Sequence, residues 1–189
     1  FKRPSHKVCV LNGVLDLETL ELGPHSPDYM FRNAIPIKYD PNAKCPQIDQ
    51  FVTEVMGDLK TLYFEFAGYC LVPGNPYQRA MIFVGEADHG KTTALSLLIE
   101  MLGSSNVSSR GLQELYENRF AKADLDGKLA NICDDISHRA LRETGTIKGL
   151  IGESPLSAER KWKDAFSFVN EAKLVYACNT LPRSYDDSD

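Results

Sequence analysis

The sequence holds no C-x-x-C pair: its five cysteines, Cys9, Cys45, Cys70, Cys133 and Cys178, stand far apart. That spacing argues against a zinc site and against a disulfide framework, and it points to a reducing, cytoplasmic setting. Cys133 and Cys178 lie inside apolar runs and read as small core residues. No stretch approaches the roughly 18 consecutive apolar residues of a membrane span, so no membrane contact is expected. Repeats and low-complexity tracts are missing too. Positive charge is scarce, with 21 Lys and Arg against 26 Asp and Glu and a formal net charge of −5. A generally basic, nucleic-acid-binding surface is therefore disfavoured. Any nucleic acid must meet a local basic patch, or a ring that gathers one patch from each subunit. The chain begins Phe1-Lys2-Arg3-Pro4, with neither a methionine nor a signal-peptide pattern, and reads as a fragment of a longer protein.

What is present is a glycine-framed loop, Gly85-Glu86-Ala87-Asp88-His89-Gly90-Lys91-Thr92-Thr93, which fits the phosphate-binding pattern G-x-x-x-x-G-K-[ST]. The apolar run Arg79 to Val84 before it has the length and type of a buried parallel strand. After it, Thr93 to Leu102 is helix-forming and stops at Gly103. Strand, glycine loop and helix together give the pattern a mechanism. Successive backbone N–H groups form an anion-binding nest, and the positive end of the helix reinforces it. Lys91 then reaches the β- and γ-phosphates of a bound nucleotide, and the Thr92 hydroxyl ligates Mg²⁺.

Three further stretches fit around that loop. Lys128 to Asp135 is a short apolar strand ending in two carboxylates, Asp134 and Asp135. In phosphate-loop proteins a second strand delivers an acid to Mg²⁺, and another acid can orient or deprotonate the attacking water. The plainer alternative is a solvated acidic turn. Leu156 to Phe168 reads as two strands around a charged tip in which Arg160, Lys161 and Lys163 flank the only tryptophan, Trp162. Cations contact phosphates and an aromatic ring stacks on bases. Taken alone, a solvated turn with Trp162 covering the core is the simpler reading. Ala172 to Asn179 is another buried-type strand, ending in an amide that can hydrogen-bond a γ-phosphate or a water, or simply form a turn before Leu181-Pro182.

The first part of the chain reads as a small α+β module. His6 to Leu22 is a hairpin with its turn at Asn12-Gly13 and with Leu15, Leu17, Leu20 and Leu22 facing inward. A loop follows from Gly23 to Pro46, broken by the apolar island Ile35-Pro36-Ile37. One helical segment over 47–72 carries Phe51, Val52, Val55, Met56, Leu59, Leu62, Phe66 and Tyr69 at helical spacing, and Pro73-Gly74-Asn75-Pro76 ends it. Beyond the glycine loop, helices are expected over 108–123 and 138–151, the latter carrying Arg139, Arg142 and Lys148. The division expected is an accessory module over 1–76 and a nucleotide-binding core over 77–189.

The order GEADHGKTT, KLANICDD, AERKWKDAFSF, AKLVYACN resembles motifs A, B, B′ and C of superfamily 3 helicases. It looks most like the phage and plasmid primase–helicase branch, which is related to the poxvirus primase–helicase. The stretch from LNGVLDLETLEL to NPYQRAMIF is similar to the module that precedes the motor there. The resemblance implies an AAA+-like P-loop NTPase core: an α/β fold with a central parallel sheet flanked by helices. It also implies a ring, a hexamer in the full-length protein, that moves along DNA using ATP. Carried over by position, Lys91 and Thr92 serve phosphate and Mg²⁺, while Asp134 and Asp135 share the metal and water-activating roles. Lys161, with Trp162 or Lys163, faces DNA in the central channel, and Asn179 senses the γ-phosphate. The arginine finger and a primase domain fall outside the sequence on this resemblance, and Arg183 is too close to motif C for the finger role, so the fragment should hydrolyse ATP slowly. Two alternatives share the loop: a small-molecule phosphoryl transferase, and a DNA-binding module whose nucleotide site is structural.

Overall fold

The structure is a computed structural model that describes residues 6–134, 136 and 145–181. Its first element is an antiparallel sheet of β1 (Lys7–Val10), β2 (Gly13–Asp16) and β3 (Leu22–Gly23). Val8, Val10, Val14 and Leu15 are buried. The expected hairpin is present, but its turn lies one residue early: Val10 pairs with Gly13, so Leu11 and Asn12 make the turn. Glycine serves a different purpose at position 13. A side chain there would collide with the Gly23 carbonyl oxygen, so the β2–β3 approach requires its absence. Asn12 instead fastens the turn to the following loop, with its amide bonding the Tyr39 carbonyl and N–H at 2.9 Å each.

Leu20 and Leu22 do not face inward as the alternation predicts; both are exposed. The Asp16 carboxylate accepts the N–H groups of Glu18 and Thr19, folding a tight turn that places Leu20 at φ 58° and swings its side chain outward. Lys7 Nζ donates to Asp16 at 2.6 Å. That bond, aided by the Glu18 N–H, holds the Asp16 carboxyl down to about 2 from an ordinary 3.8. The folded state therefore gains from Asp16 in full above its unfolded value, and the gain is lost as pH falls through the folded one. Acid unfolding of the wild type and Asp16→Asn should converge below about pH 2 and separate above about pH 4.

Two helices follow, α1 (Pro46–Met56) and α2 (Lys60–Tyr69), in place of the single segment predicted. Gly57 and Asp58 are poor helix formers, and the chain takes a 3-10 turn over Gly57–Leu59 between them. The rest runs β4 (Met81–Val84), α3 (Lys91–Leu102), β5 (Val107–Ser108), α4 (Leu112–Glu117), β6 (Ala130–Cys133), α5 (Gly145–Ile151), β7 (Pro155–Ala158), β8 (Phe166–Val169) and β9 (Lys173–Cys178). The helix expected over 108–123 shortens to α4, because the Asn118 side chain accepts the Phe120 N–H and turns the chain away. Of the second expected helix only α5 is described, and residues 137–144 lie outside the described residues.

The main sheet is parallel, in the order β4-β9-β6-β5. Every residue of β9 is buried, as a central strand requires. Its side chains alternate between two cores. Val175 and Ala177 join Leu95, Leu98 and Leu102 of α3, together with Val8, Val52 and Phe66 from the first third of the chain. Leu174, Tyr176 and Cys178 join Leu112, Leu115 and Leu150 on the opposite face. Residues before and after position 77 thus share a core. The strand before the glycine loop is parallel as predicted but is not buried: β4 is an edge of the described sheet, with Ile82 41% and Val84 51% exposed.

Candidate functional site

The site follows from strand register. Val84 of β4 lies opposite Cys178 of β9, so Gly85 and Asn179 leave the sheet side by side. On the other flank of β9, Cys133 of β6 lies opposite Tyr176, and Asp134 leaves the sheet there. Parallel strands that end together bring their following residues to one rim, where ligands of open α/β sheets sit.

The glycine loop bridges this rim to α3. Asp88 and Gly90 have left-handed φ values of 61° and 78°. The first N–H groups of a helix lack partners within it, and Gly90, at the N-cap, offers no side chain to satisfy them. A Cβ on Gly90 would come within 2.9 Å of the Val55 side chain, so α1 packs directly behind the glycine loop. Lys91 Nζ turns back into the loop, donating to Gly85 O at 2.7 Å, Glu86 O at 2.5 Å and Asn179 Oδ1 at 3.1 Å. The last bond joins two residues 88 positions apart that the motif reading assigned to one site. With its oxygen engaged by Lys91, the Asn179 amide has its N–H₂ left to donate.

Thr92 and Thr93 are exposed on the first turn of α3, and Asp134 is exposed at the end of β6. Asp135 and Arg183 lie outside the described residues. Mg²⁺ is typically held by one or two carboxylates plus phosphate oxygens and water. The residues offered at the rim, a hydroxyl and an aspartate beside the glycine loop, fit that donor set.

β7 and β8 form the expected hairpin, with Ala158 opposite Phe166. Trp162 is 100% exposed at its tip, so it does not cover the core. Lys161 and Lys163 beside it are exposed. Arg160 is placed differently. Its guanidinium pairs with Asp126 at 3.2 Å and lies 4.7 Å over the Phe166 ring, which fixes it to the hairpin stem. Arg32 bonds the same carboxylate at 3.0 Å, and these pairs hold Asp126 below the usual carboxylate range against the opposing effect of burial. Arg119 pairs with Glu159 at 3.2 Å on the other side of the stem. Reading the sequence misses Asp126 and Arg32, which lie in stretches without a motif.

A parallel α/β sheet with a glycine loop, a lysine, an amide and an aspartate at one rim defines the class. Residues 83–189 match the model of DUF5906, a family of unknown function, and the chain belongs to that family. Residues 1–57 match the model described as D5 N terminal like. Among solved structures, an A form apo structure of the NrS-1 C terminal region is similar with TM-score 0.62 and 21% identity, over 80% of this chain and 37% of that one. An apo structure of the NrS-1 C terminal region (305–718) is similar with TM-score 0.60 and 19% identity, over 80% and 38%. At these identities the likeness is one of fold. The chain spans well under half the length of those solved chains. No curated protein matches it.

Proposed function

We propose that the chain is the ATP-driven motor portion of a phage- or plasmid-type replicative DNA helicase of superfamily 3, with an AAA+-like P-loop core over 77–189 and an accessory module over 1–76. The Lys91–Asn179 bond carries the reading, because it joins motif A to motif C at the rim where phosphates would lie. The match of residues 1–57 to a D5 N terminal like model and the fold shared with the NrS-1 C terminal region support it.

In this reading the N–H groups of residues 85–90 and the Lys91 ammonium hold the β- and γ-phosphates of ATP. Thr92 and Asp134 hold Mg²⁺, which supplies charge neutralisation between the phosphates when bound. Asp135 polarises the attacking water, and the Asn179 N–H₂ donates to the γ-phosphate. An arginine from a neighbouring subunit completes the site in a ring, a contribution worth about 10³–10⁵ in rate in other NTPases. The hairpin tip, Lys161 to Lys163, faces DNA: the lysines meet phosphates and Trp162 lies against sugar or base. Arg160 supports the tip from the stem.

ATP turnover, measured with and without single-stranded DNA, tests the reading. DNA should raise turnover, and Lys161→Ala should remove that stimulation while leaving the basal rate. The same substitution should lower the salt slope of DNA binding by about 1. A basal rate that needs Lys91 but ignores DNA would instead describe an NTPase that does not translocate.

A further inference from the structure

The hairpin of β7 and β8 stands apart from the main sheet: among the described residues its strands pair only with each other. A lone two-stranded hairpin is marginally stable at best, so its direction depends on what holds its stem. Leu156 and Phe168 pack the base of the stem against the second core. Nearer the tip, side-chain pairs hold it: Arg119 with Glu159, and Arg160 with Asp126. Arg119 is exposed, and exposed pairs contribute little. The Asp126 side chain is only 16% exposed, so its pairing is screened less.

Asp126 does more than hold Arg160. Arg32 Nη1 donates to its Oδ1 at 3.0 Å, and Arg160 Nη2 donates to its Oδ2 at 3.2 Å. Each guanidinium has its own oxygen, and together they fix the plane of the carboxylate. A rotation that follows one arginine withdraws an oxygen from the other. Arg32 is itself held in place. Gly127 sits at φ 76°, and the Arg32 guanidinium fills the space a side chain would take: a Cβ there would come within 2.7 Å of Nη2. Next along the loop, Asn33 Nδ2 donates to Gly127 O at 2.7 Å, and Asn106 Nδ2 donates to Ala34 O at 2.8 Å. The loop after β3 is thus fastened to the turn that enters β6, and that turn holds the hairpin.

We infer that Asp126 is a positioning residue through which Arg32, in the loop after β3, sets the direction of the β7–β8 hairpin. The consequence for DNA rests on the helicase reading above: the tip, Lys161 to Lys163, loses less freedom on meeting a strand when its stem is already fixed. The first part of the chain then has a task of its own, aiming the hairpin through one shared carboxylate.

The sign of the effect separates positioning from plain electrostatics. A carboxylate near phosphate-binding lysines repels DNA, so neutralising it would tighten binding if charge alone mattered. Loss of positioning acts in the opposite direction.

Trp162 supplies the readout. It is the only tryptophan and lies fully exposed at the tip, so its nanosecond anisotropy decay reports hairpin motion in this chain without any ligand. Local motion of Trp162 should increase in Asp126→Asn. It should also increase in Arg32→Gln, a change outside the hairpin at an exposed side chain, which spares the fold. Binding of a dye-labelled oligothymidylate should weaken about fivefold in Asp126→Asn, the scale of the strongest exposed ion pairs, and should weaken in Arg32→Gln as well. Unchanged Trp162 motion in Arg32→Gln overturns the inference, because the loop after β3 then has no hold on the hairpin. Tighter DNA binding by Asp126→Asn overturns it too, since the carboxylate would then act only by its charge. If the wild type binds no oligothymidylate, the helicase reading fails by itself, and Trp162 motion still decides whether Arg32 holds the hairpin.

Discussion

Replacing Lys91 with alanine is expected to lower ATP affinity and turnover by at least about a hundredfold, the scale on which removal of a preorganised charge-stabilising donor acts. The ammonium sits where the loop, α3 and the end of β9 converge, within 3.1 Å of acceptors from each side of that junction. Its present partners, two loop carbonyls and an amide, are neutral. A phosphate oxygen offers a charge-assisted bond roughly twice as strong, so exchange of partners favours the ligand. The fold should not suffer, since the loop around Lys91 is largely exposed and water can satisfy the carbonyls it leaves. The thermal midpoint of Lys91→Ala without nucleotide should therefore match the wild type, and only the upward shift on adding ATP should vanish. Lys91→Arg should fail too, because a planar fork cannot occupy a site shaped around a tetrahedral ammonium. Wild-type affinity in Lys91→Ala would remove the loop from the binding site.

The largest effect on stability is expected at Lys173. This side chain is 1% exposed, among the most buried large side chains described. Its ammonium donates to the carbonyls of Val72, of Gly74 at 2.6 Å and of Glu171 at 3.1 Å, and lies 5.0 Å from the Tyr69 ring centroid. The first two carbonyls belong to the segment after α2, so Lys173 ties the accessory elements to the central strand. The Asn75 side chain donates to Asn170 O at 2.9 Å and adds a second tie at the same place. Lys173→Met keeps most of the volume but leaves three half-buried carbonyls without this donor, at about 1 kcal/mol each, the lower end for an unsatisfied group. A total near 3 kcal/mol is expected, a large fraction of the 5–15 kcal/mol typical of a domain. Urea unfolding should show it as a lower midpoint at unchanged slope. An unchanged midpoint would mean that the linker carbonyls find other partners and that the tie is dispensable.

Local features of the chain were readable from residues alone, and features set by distant partners were not. The glycine loop, its strand and its helix are encoded within 25 residues, and each appears where the spacing puts it. The hairpin at 155–169 was equally plain from two apolar runs around a charged tip. What alternation could not foresee was β4 standing at an edge of the described sheet, because position in a sheet depends on strands nearly 100 residues away. Leu20 and Leu22 misled for a local reason: the Asp16 carboxylate overrides the strand period with a turn of its own. Arg160 shows the limit most clearly. In sequence it is one cation among three at a tip, yet Asp126, 34 residues earlier, draws it into the stem. Asp126 and Arg32 bond across 94 residues, a separation at which no periodicity carries a signal.

The central claim is that three neighbouring strand ends and the glycine loop form one nucleotide site. Its most direct test is an amide NMR titration of this chain with Mg²⁺ and ATP. The account predicts shifts concentrated at Gly85 to Thr93 and at Asp134 and Asn179, with the β1–β3 sheet unchanged. Saturable shifts elsewhere, or none at the loop at millimolar ATP, would contradict it.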